Sequence, residues 1–241
     1  MVKALILRGP GTNCDVETAH ALKTAGANVE DVYIKKLMES PEILKDFNIF
    51  VIPGGFTYGD DLGAGKVMAI EIEKFLFDEL KRFVDRGGLV LGICNGFQIL
   101  VKSGILPFLD GKQHLTLTMN TRGMFIDTWI ELETSNRCVF LKGIKNISLP
   151  VANAEGRVVF MDEEVQEKVV NEGYACLFYR SFDPSDSALH IAGMTDETGR
   201  VLGMMPHPER NMFRHSHPEW KRGREGGDGL RIFINAVEYF R

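Results

Sequence analysis

The sequence predicts an α/β protein: a mostly parallel sheet flanked by helices, with a small antiparallel excursion. Short uninterrupted apolar runs, such as residues 89–93, alternate with stretches whose apolar residues recur at helical spacing. That is the pattern of parallel strands covered on both faces. Glycine or proline closes several of these segments, at Gly26, Pro53-Gly54-Gly55 and Gly87-Gly88. Beyond Pro107 the pattern changes to alternating, β-rich segments.

In chain order, residues 2–7 read as the first buried strand and 15–25 as a helix stopped by Gly26. Residues 29–34 and 48–52 read as the second and third strands. Residues 67–84 carry Ile70, Phe75, Phe77, Leu80 and Val84 at helical spacing and read as one helix. Residues 89–93 are again a buried strand. Residues 115–119, 124–133 and 157–160 supply the antiparallel part; 163–171 is a helix; 174–179, 190–194 and 201–205 are late strands; and 230–239 is a closing helix. Residues 214–228, rich in His, Arg, Lys, Glu and Gly, read as a mobile loop.

Composition narrows the class. With 241 residues, 44% hydrophobic and 25% charged, the chain can build one full-sized core. No Pro- or Ser-rich linker divides it, so a single domain over 1–241 is expected. A net charge of −5 argues against a nucleic-acid binder. No apolar run approaches the ~20 residues of a membrane span, and the apolar start meets Arg8 too soon for a signal peptide. Cys14, Cys94, Cys138 and Cys176 form no C-x-x-C pair, which leaves no zinc or dithiol motif. Free thiols in a reducing cytoplasm follow by default.

The sharpest local feature is Gly92-Ile93-Cys94-Asn95-Gly96, between a buried strand and a helical Phe97-Gln98-Ile99-Leu100. It has the form of a nucleophile elbow with cysteine in place of serine. Small neighbours let the turn close and a substrate approach, and the helix N-terminus stabilises negative charge on the sulfur. The bland alternative, a buried structural cysteine between two glycines, weighs about equally on the pentapeptide alone.

A thiol nucleophile needs a base. Of six histidines, His207 stands out within Met204-Met205-Pro206-His207-Pro208-Glu209-Arg210, just past an apolar run. Open α/β sheets place their sites at that carboxyl rim. The flanking prolines hold the backbone extended, so Glu209, two residues on, shares a side with His207 and can orient its ring. His20, His215 and His217 read as surface residues, His190 as structural, and His114 has no strong context. Acyl transfer also needs two fixed N–H donors for the oxyanion. Asn95 is placed to supply one; Gly54 or Gly55, in Pro53-Gly54-Gly55-Phe56, can supply the other. Pro-Gly-Gly by itself is no more than a turn.

These segments, with Gly9-Pro10-Gly11-Thr12-Asn13-Cys14-Asp15, Ile52-Pro53-Gly54-Gly55-Phe56-Thr57-Tyr58-Gly59-Asp60 and Asp228-Gly229-Leu230, resemble the class I, or triad, glutamine amidotransferases. More narrowly, the Cys-Asn-Gly-Phe-Gln and Met-Met-Pro-His-Pro-Glu-Arg stretches resemble the glutaminase subunits of formylglycinamidine ribonucleotide synthases. The resemblance implies a flavodoxin-like sheet, Cys94 as nucleophile, His207 as general base and acid, and Glu209 as its orienter. It makes Gln98 and Phe56, Thr57 and Tyr58 candidates for holding glutamine. It also implies no metal or cofactor in this chain, ATP and Mg²⁺ being used on a partner synthetase that receives the ammonia, often with a small third subunit. Many relatives carry His-Gly-Glu-Gly where this chain has Asn153-Ala154-Glu155-Gly156; that segment belongs either to the glutamine-site wall or to the partner face. Cys14, with no elbow of its own, reads as structural or as a contact near the site.

Two readings from other classes stay open at this point. A cysteine peptidase would share elbow and histidine but leaves the Pro-His-Pro-Glu-Arg stretch unexplained. A non-catalytic subunit on the same fold would not need Cys94, His207 and Glu209 together.

Overall fold

The computed structural model describes residues 1–224 and 226–241. The first half alternates strand and helix: β1 (Lys3–Arg8), α1 (Asp15–Thr24), β2 (Asn28–Tyr33), α2 (Ile34–Glu39), β3 (Ile49–Ile52), α3 (Lys66–Phe75), α4 (Phe77–Asp85), β4 (Leu89–Ile93) and α5 (Asn95–Lys102). The second half is richer in strands: β5 (Leu115–Met119), β6 (Ile126–Thr134), β7 (Asn146–Asn153), β8 (Glu155–Phe160), α6 (Glu163–Asn171), β9 (Ala175–Tyr179), β10 (Ile191–Thr195), β11 (Val201–Met204) and α7 (Leu230–Glu238).

Among the described residues nine strands form one mixed sheet in the order β2-β1-β3-β4-β11-β10-β9-β6-β7. The first five are mutually parallel. Their central members β3 and β4 are buried at every residue, as strands covered on both faces must be. Helix α5 packs on β3, β4 and β11 with α3 against it, while α1 packs on β1, β2 and α7. The remaining strands, β10, β9, β6 and β7, run antiparallel, and β5 pairs with β8 in a separate two-stranded ribbon. The fold class read from the sequence is the observed one.

Register positions the site. Ile52 pairs with Gly92, Gly92 with Gly203, and Ile93 with Met204. The carboxyl ends of β3, β4 and β11 are therefore level, and the segments that follow them emerge side by side: Gly54-Gly55, Cys94 and His207. This is the rim where open α/β sheets gather their functional groups.

The antiparallel wing completes the site from the other side. It curls so that the edge of β7 not bonded to β6 faces the segment after β11. The Pro150 carbonyl accepts the His207 N–H at 2.9 Å, and the Ser148 carbonyl accepts Asn211 Nδ2 at 2.7 Å. Two steps further along β7, the Ala152 carbonyl lies 3.9 Å from Cys94 Sγ. Pro150 fits because an edge strand need not donate from every residue.

Three elements differ from the sequence reading. Helix α2 begins at Ile34, which that reading gave as the end of the second strand. The helix expected over 67–84 is two helices, broken at Leu76, whose φ of −125° leaves the helical range and whose side chain is fully buried. The break turns Phe75, expected on the apolar face, out to 59% exposure. β7 has no counterpart in that reading, because Pro150 interrupts an otherwise ordinary apolar run. The 214–228 loop carries short 3₁₀ turns at Arg214–Ser216 and Trp220–Arg222 and is tied back where Gly227 N–H donates to Asn211 Oδ1; Glu225, within it, lies outside the described residues. Among the described residues no helix is long and apolar enough to cross a membrane.

Candidate active site

Cys94 follows β4 and caps α5 with φ 51° and ψ −105°, a conformation that costs a non-glycine residue of order 1–3 kcal/mol. The surroundings impose it. Cys94 N–H donates to the Met204 carbonyl at 2.7 Å, and the Cys94 carbonyl accepts from Phe97 and Gln98. A side chain at Gly96 would place its Cβ 2.0 Å from the Ile52 carbonyl oxygen, so helix and strand can approach this closely only with glycine there. The elbow read from the sequence is present, with Cys94 only 6% exposed.

His207 is 1% exposed. Its Nδ1–H donates to Glu209 Oε1 at 2.6 Å, a short charge-assisted bond. Nε2 is buried with no hydrogen-bond partner among the described residues. Burial alone would lower the imidazole pKa; the Glu209 carboxylate and then Cys94 override it and hold His207 well above the ordinary histidine range. One ring nitrogen is thus fixed and the other left available, the division of labour a triad histidine needs.

The third segment follows β3. Gly55 has φ 149°, and a Cβ on it would meet the Gly11 carbonyl at 2.8 Å and the Asn13 nitrogen at 2.9 Å. The loop is laid against residues 11–14, with Cys14 N–H donating to the Gly54 carbonyl and Phe56 N–H to the Gly11 carbonyl. Gly54 sits between His207 and Cys14: a Cβ there would lie 3.0 Å from His207 Cε1 and 3.2 Å from Cys14 Sγ. Asn95 is the first residue of α5, where a backbone N–H has no partner within the helix.

A cavity of about 260 Å³ opens above these groups. Cys94, His207, Gly55 and Gln98 line it, with Ala152 and Asn153 as the wall contributed by β7. Phe56 and Phe125 stand at its mouth with rings 6.5 Å apart, and Asp60, Asp127 and Arg210 place charge around it.

Of the candidate glutamine contacts, Phe56 and Gln98 line this cavity, whereas Thr57 and Tyr58 do not. Thr57 is buried and donates to Asn95 Oδ1; the Tyr58 hydroxyl donates to Glu71 at 2.8 Å. Of the Asn153-Ala154 departure, Asn153 lines the cavity. Phe125, Asp127 and Arg210 were not legible as site residues, because what brings the first two there is the β6–β7 hairpin, whose second strand the pattern hid. Cys14 is a contact near the site: Arg210 donates to its sulfur at 3.4 Å.

Cys14, His207 and Glu209 offer ligand atoms within 4.8 Å of one another. A cation there would compete with the Arg210 guanidinium already on the sulfur and with the His207–Glu209 hydrogen bond, so the set is a hydrogen-bonded one. The other histidines lie elsewhere. His217, expected on the surface, is 2% exposed, its ring edge-on to Trp129 of β6 at 4.5 Å. His190 is exposed and pairs with Asp183.

A buried cysteine on a strained elbow, a histidine held by a buried glutamate, and a glycine loop across the rim define a class: cysteine-dependent acyl-transfer enzymes of the triad amidotransferase type. Comparison with known proteins narrows it. Residues 1–240 match the CobB/CobQ-like glutamine amidotransferase domain. The phosphoribosylformylglycinamidine synthase subunit PurQ of Dehalococcoides mccartyi is 45% identical, over 100% of this chain and 98% of that protein. That of Methanococcus maripaludis is 39% identical, over 99% and 98%. Among solved structures, PurLQS from Thermotoga maritima matches with a TM-score of 0.79 and 31% identity, over 100% of this chain and 99% of that one. The chain belongs to the glutamine amidotransferase family and, within it, to the PurQ subunits.

Proposed function

We propose that this chain is the glutamine-hydrolysing subunit of a phosphoribosylformylglycinamidine (formylglycinamidine ribonucleotide) synthase of purine biosynthesis. The observation that carries the chemistry is the state of His207: Nδ1 is engaged by Glu209, and Nε2 is buried with no hydrogen-bond partner among the described residues, beside the cavity that Cys94 also lines.

The reaction follows from these groups. Cys94 passes its thiol proton to His207 Nε2 as Sγ attacks the carboxamide carbon of glutamine; a C–S bond forms, and the carbonyl oxygen becomes an oxyanion. The Asn95 N–H and a Gly54 or Gly55 N–H stabilise it, a contribution of about 3 kcal/mol per fixed donor. His207 Nε2 then gives its proton to the departing nitrogen; the C–N bond breaks and ammonia leaves a thioester on Cys94. Water attacks the thioester with His207 taking its proton, and the second oxyanion collapses; the C–S bond breaks, His207 returns the proton to Cys94 Sγ, and glutamate is released. Phe56 and Gln98, on the cavity wall, are the contacts proposed for glutamine, with Thr57 and Tyr58 supporting them from behind.

The ammonia passes to a synthetase subunit that uses ATP and Mg²⁺ to convert formylglycinamide ribonucleotide to the amidine, with a small third subunit in the assembly. This chain contributes no cofactor, works in the cytoplasm and takes no part in nucleic-acid or membrane binding. The test is to identify which synthetase co-purifies with the chain and to assay glutamine-dependent amidine formation. Co-purification with a synthetase of a different amidation, or cleavage of peptides but not of free glutamine, overturns the proposal.

A further inference from the structure

We propose that the side chain of Asn95 is a positioning group that holds the two oxyanion donors of this site in register, and that Asp60 holds Asn95. The inference rests on the oxyanion role proposed above for the Asn95 N–H and the Gly54-Gly55 loop, and goes beyond it by assigning a separate role to the Asn95 amide.

The Asn95 side chain is engaged on both sides and 1% exposed. Its Oδ1 accepts from the Thr57 N–H at 3.2 Å and from the Thr57 hydroxyl at 2.7 Å. Its Nδ2 donates to Asp60 Oδ1 at 3.2 Å and to Gln98 Oε1 at 2.9 Å. Two acceptor and two donor positions are the full capacity of a carboxamide. An aspartate would lose both donor bonds, and an apolar residue would leave the Thr57 hydroxyl and N–H buried without their acceptor, at about 1–3 kcal/mol for each such group.

The bonds join the right parts. Asn95 is the residue after the nucleophile, and Thr57 lies two residues beyond Gly55. The amide therefore spans the gap between α5, which carries one oxyanion donor, and the loop after β3, which carries the other. Asp60 Oδ1 also accepts the Gly65 N–H at 3.2 Å, so the far end of the same loop closes onto the same carboxylate. Gln98 Nε2 donates to the Glu155 carbonyl at 2.5 Å, which extends the tie to β8. A hole made from two separate segments works only if their spacing is fixed, and a displacement of about 1 Å can cost on the order of 10²-fold in rate.

The experiment measures glutamine hydrolysis by the full chain, free and reconstituted with its synthetase, for Asn95→Asp, for Asn95→Asp combined with Asp60→Asn, and for Thr57→Val. Asn95→Asp is expected to lower kcat by about 10- to 100-fold while KM stays within about threefold, because the oxyanion exists in the transition state and not in bound glutamine. Adding Asp60→Asn restores a donor opposite the new carboxylate and is expected to recover about tenfold of that loss. Thr57→Val, which keeps the N–H bond, is expected to lower kcat by a smaller factor of about 3 to 10 and settles the matter should Asn95→Asp not fold. A kcat within about twofold of wild type in the variants that fold, a loss expressed in KM, or a double variant no better than Asn95→Asp would overturn the assignment. Wild-type protein that hydrolyses no glutamine in the same assays would instead remove the amidotransferase reading, which separates the two failures.

Discussion

His207 Nδ1 and Glu209 Oε1 lie 2.6 Å apart, with side-chain exposures of 2% and 0%. A carboxylate enclosed to this degree has no route to substrate and acts through the ring it holds. Glu209→Gln is accordingly expected to lower kcat far more than it raises KM. Loss of the orienting carboxylate in a serine triad costs on the order of 10⁴-fold, and a cysteine triad should lose about 10² to 10⁴. Steady-state glutaminase kinetics decide it; a change confined to KM would contradict the role.

The same pair has a signature in pH. The folded His207 pKa is raised, by Glu209 and Cys94 against the opposing effect of burial. A raised pKa contributes stability fully present below the unfolded value of about 6.5 and lost as pH rises through the folded value. Denaturant unfolding of wild type and Glu209→Gln at about pH 6 and pH 9 should therefore show the larger gap at the lower pH. An equal gap at both would mean that His207 is not charged in the folded protein near neutrality.

Cys94→Ala should abolish glutamine-dependent synthesis by the assembled enzyme and leave synthesis from added ammonium salt intact, since only the acyl-enzyme step is removed. A glutamine analogue with an electrophilic carbon should label Cys94. The structure makes Cys14 the demanding control, because it lines the same cavity, whereas Cys138 and Cys176 are buried elsewhere. Peptide mapping that finds the label on Cys14, or glutamine use retained in the alanine variant, would reverse the assignment.

Gly96 gives a prediction about the fold. A Cβ added at this position would lie 2.0 Å from the Ile52 backbone oxygen, an atom that no side-chain rotation can move. Gly96→Ala should force α5 away from β3 and cost about 3 kcal/mol, at the upper end of overpacking penalties. Thermal melting reads this directly; a variant as stable as wild type would show that the elbow has slack.

How much of this the sequence exposed depended on whether a feature was local. Cys94, His207 and Glu209 each sit in a short segment whose chemistry is written in its neighbours: glycines around the nucleophile, prolines around the base. The parallel core was legible for the same reason, since β3 and β4 are continuous apolar runs. The rest arises from distant segments meeting. β7 is a strand despite Pro150 because β6 and the His207–Asn211 segment take its hydrogen bonds on either side, and no window of sequence contains both. The break at Leu76 depends on what that side chain packs against. Thr57 was a candidate substrate contact only through the family resemblance; the fold shows that its partner is Asn95, 38 residues away.

The last prediction concerns the partner. Free ammonia is wasted without an acceptor, so a glutaminase subunit gains from being slow alone and fast when docked. The structure supplies a segment suited to such control. The 57–65 loop carries left-handed backbone at Tyr58 and Asp60, both with φ 55°, and exposes Leu62 to 71%. Its ties to the rest of the fold include Thr57 to Asn95, Tyr58 to Glu71 and to the Pro10 carbonyl, Asp60 to Asn95, and Ala64 between Lys102 and Glu155. Through Thr57 and Asn95 it reaches the glycine loop expected to aim an N–H at the oxyanion, and glycine peptides reorient at little steric cost. A partner resting on this loop can shift the population toward the productive arrangement without creating a new one. The effect should appear in kcat, because the donors act on charge that develops only in the transition state. Glutaminase kinetics are to be compared for the chain alone, with synthetase, and with synthetase carrying its nucleotide and acceptor. A rise in kcat of about tenfold or more across the series, with KM changing little, is the expected outcome; equal kcat in all three would show that the site is fully formed in the free chain.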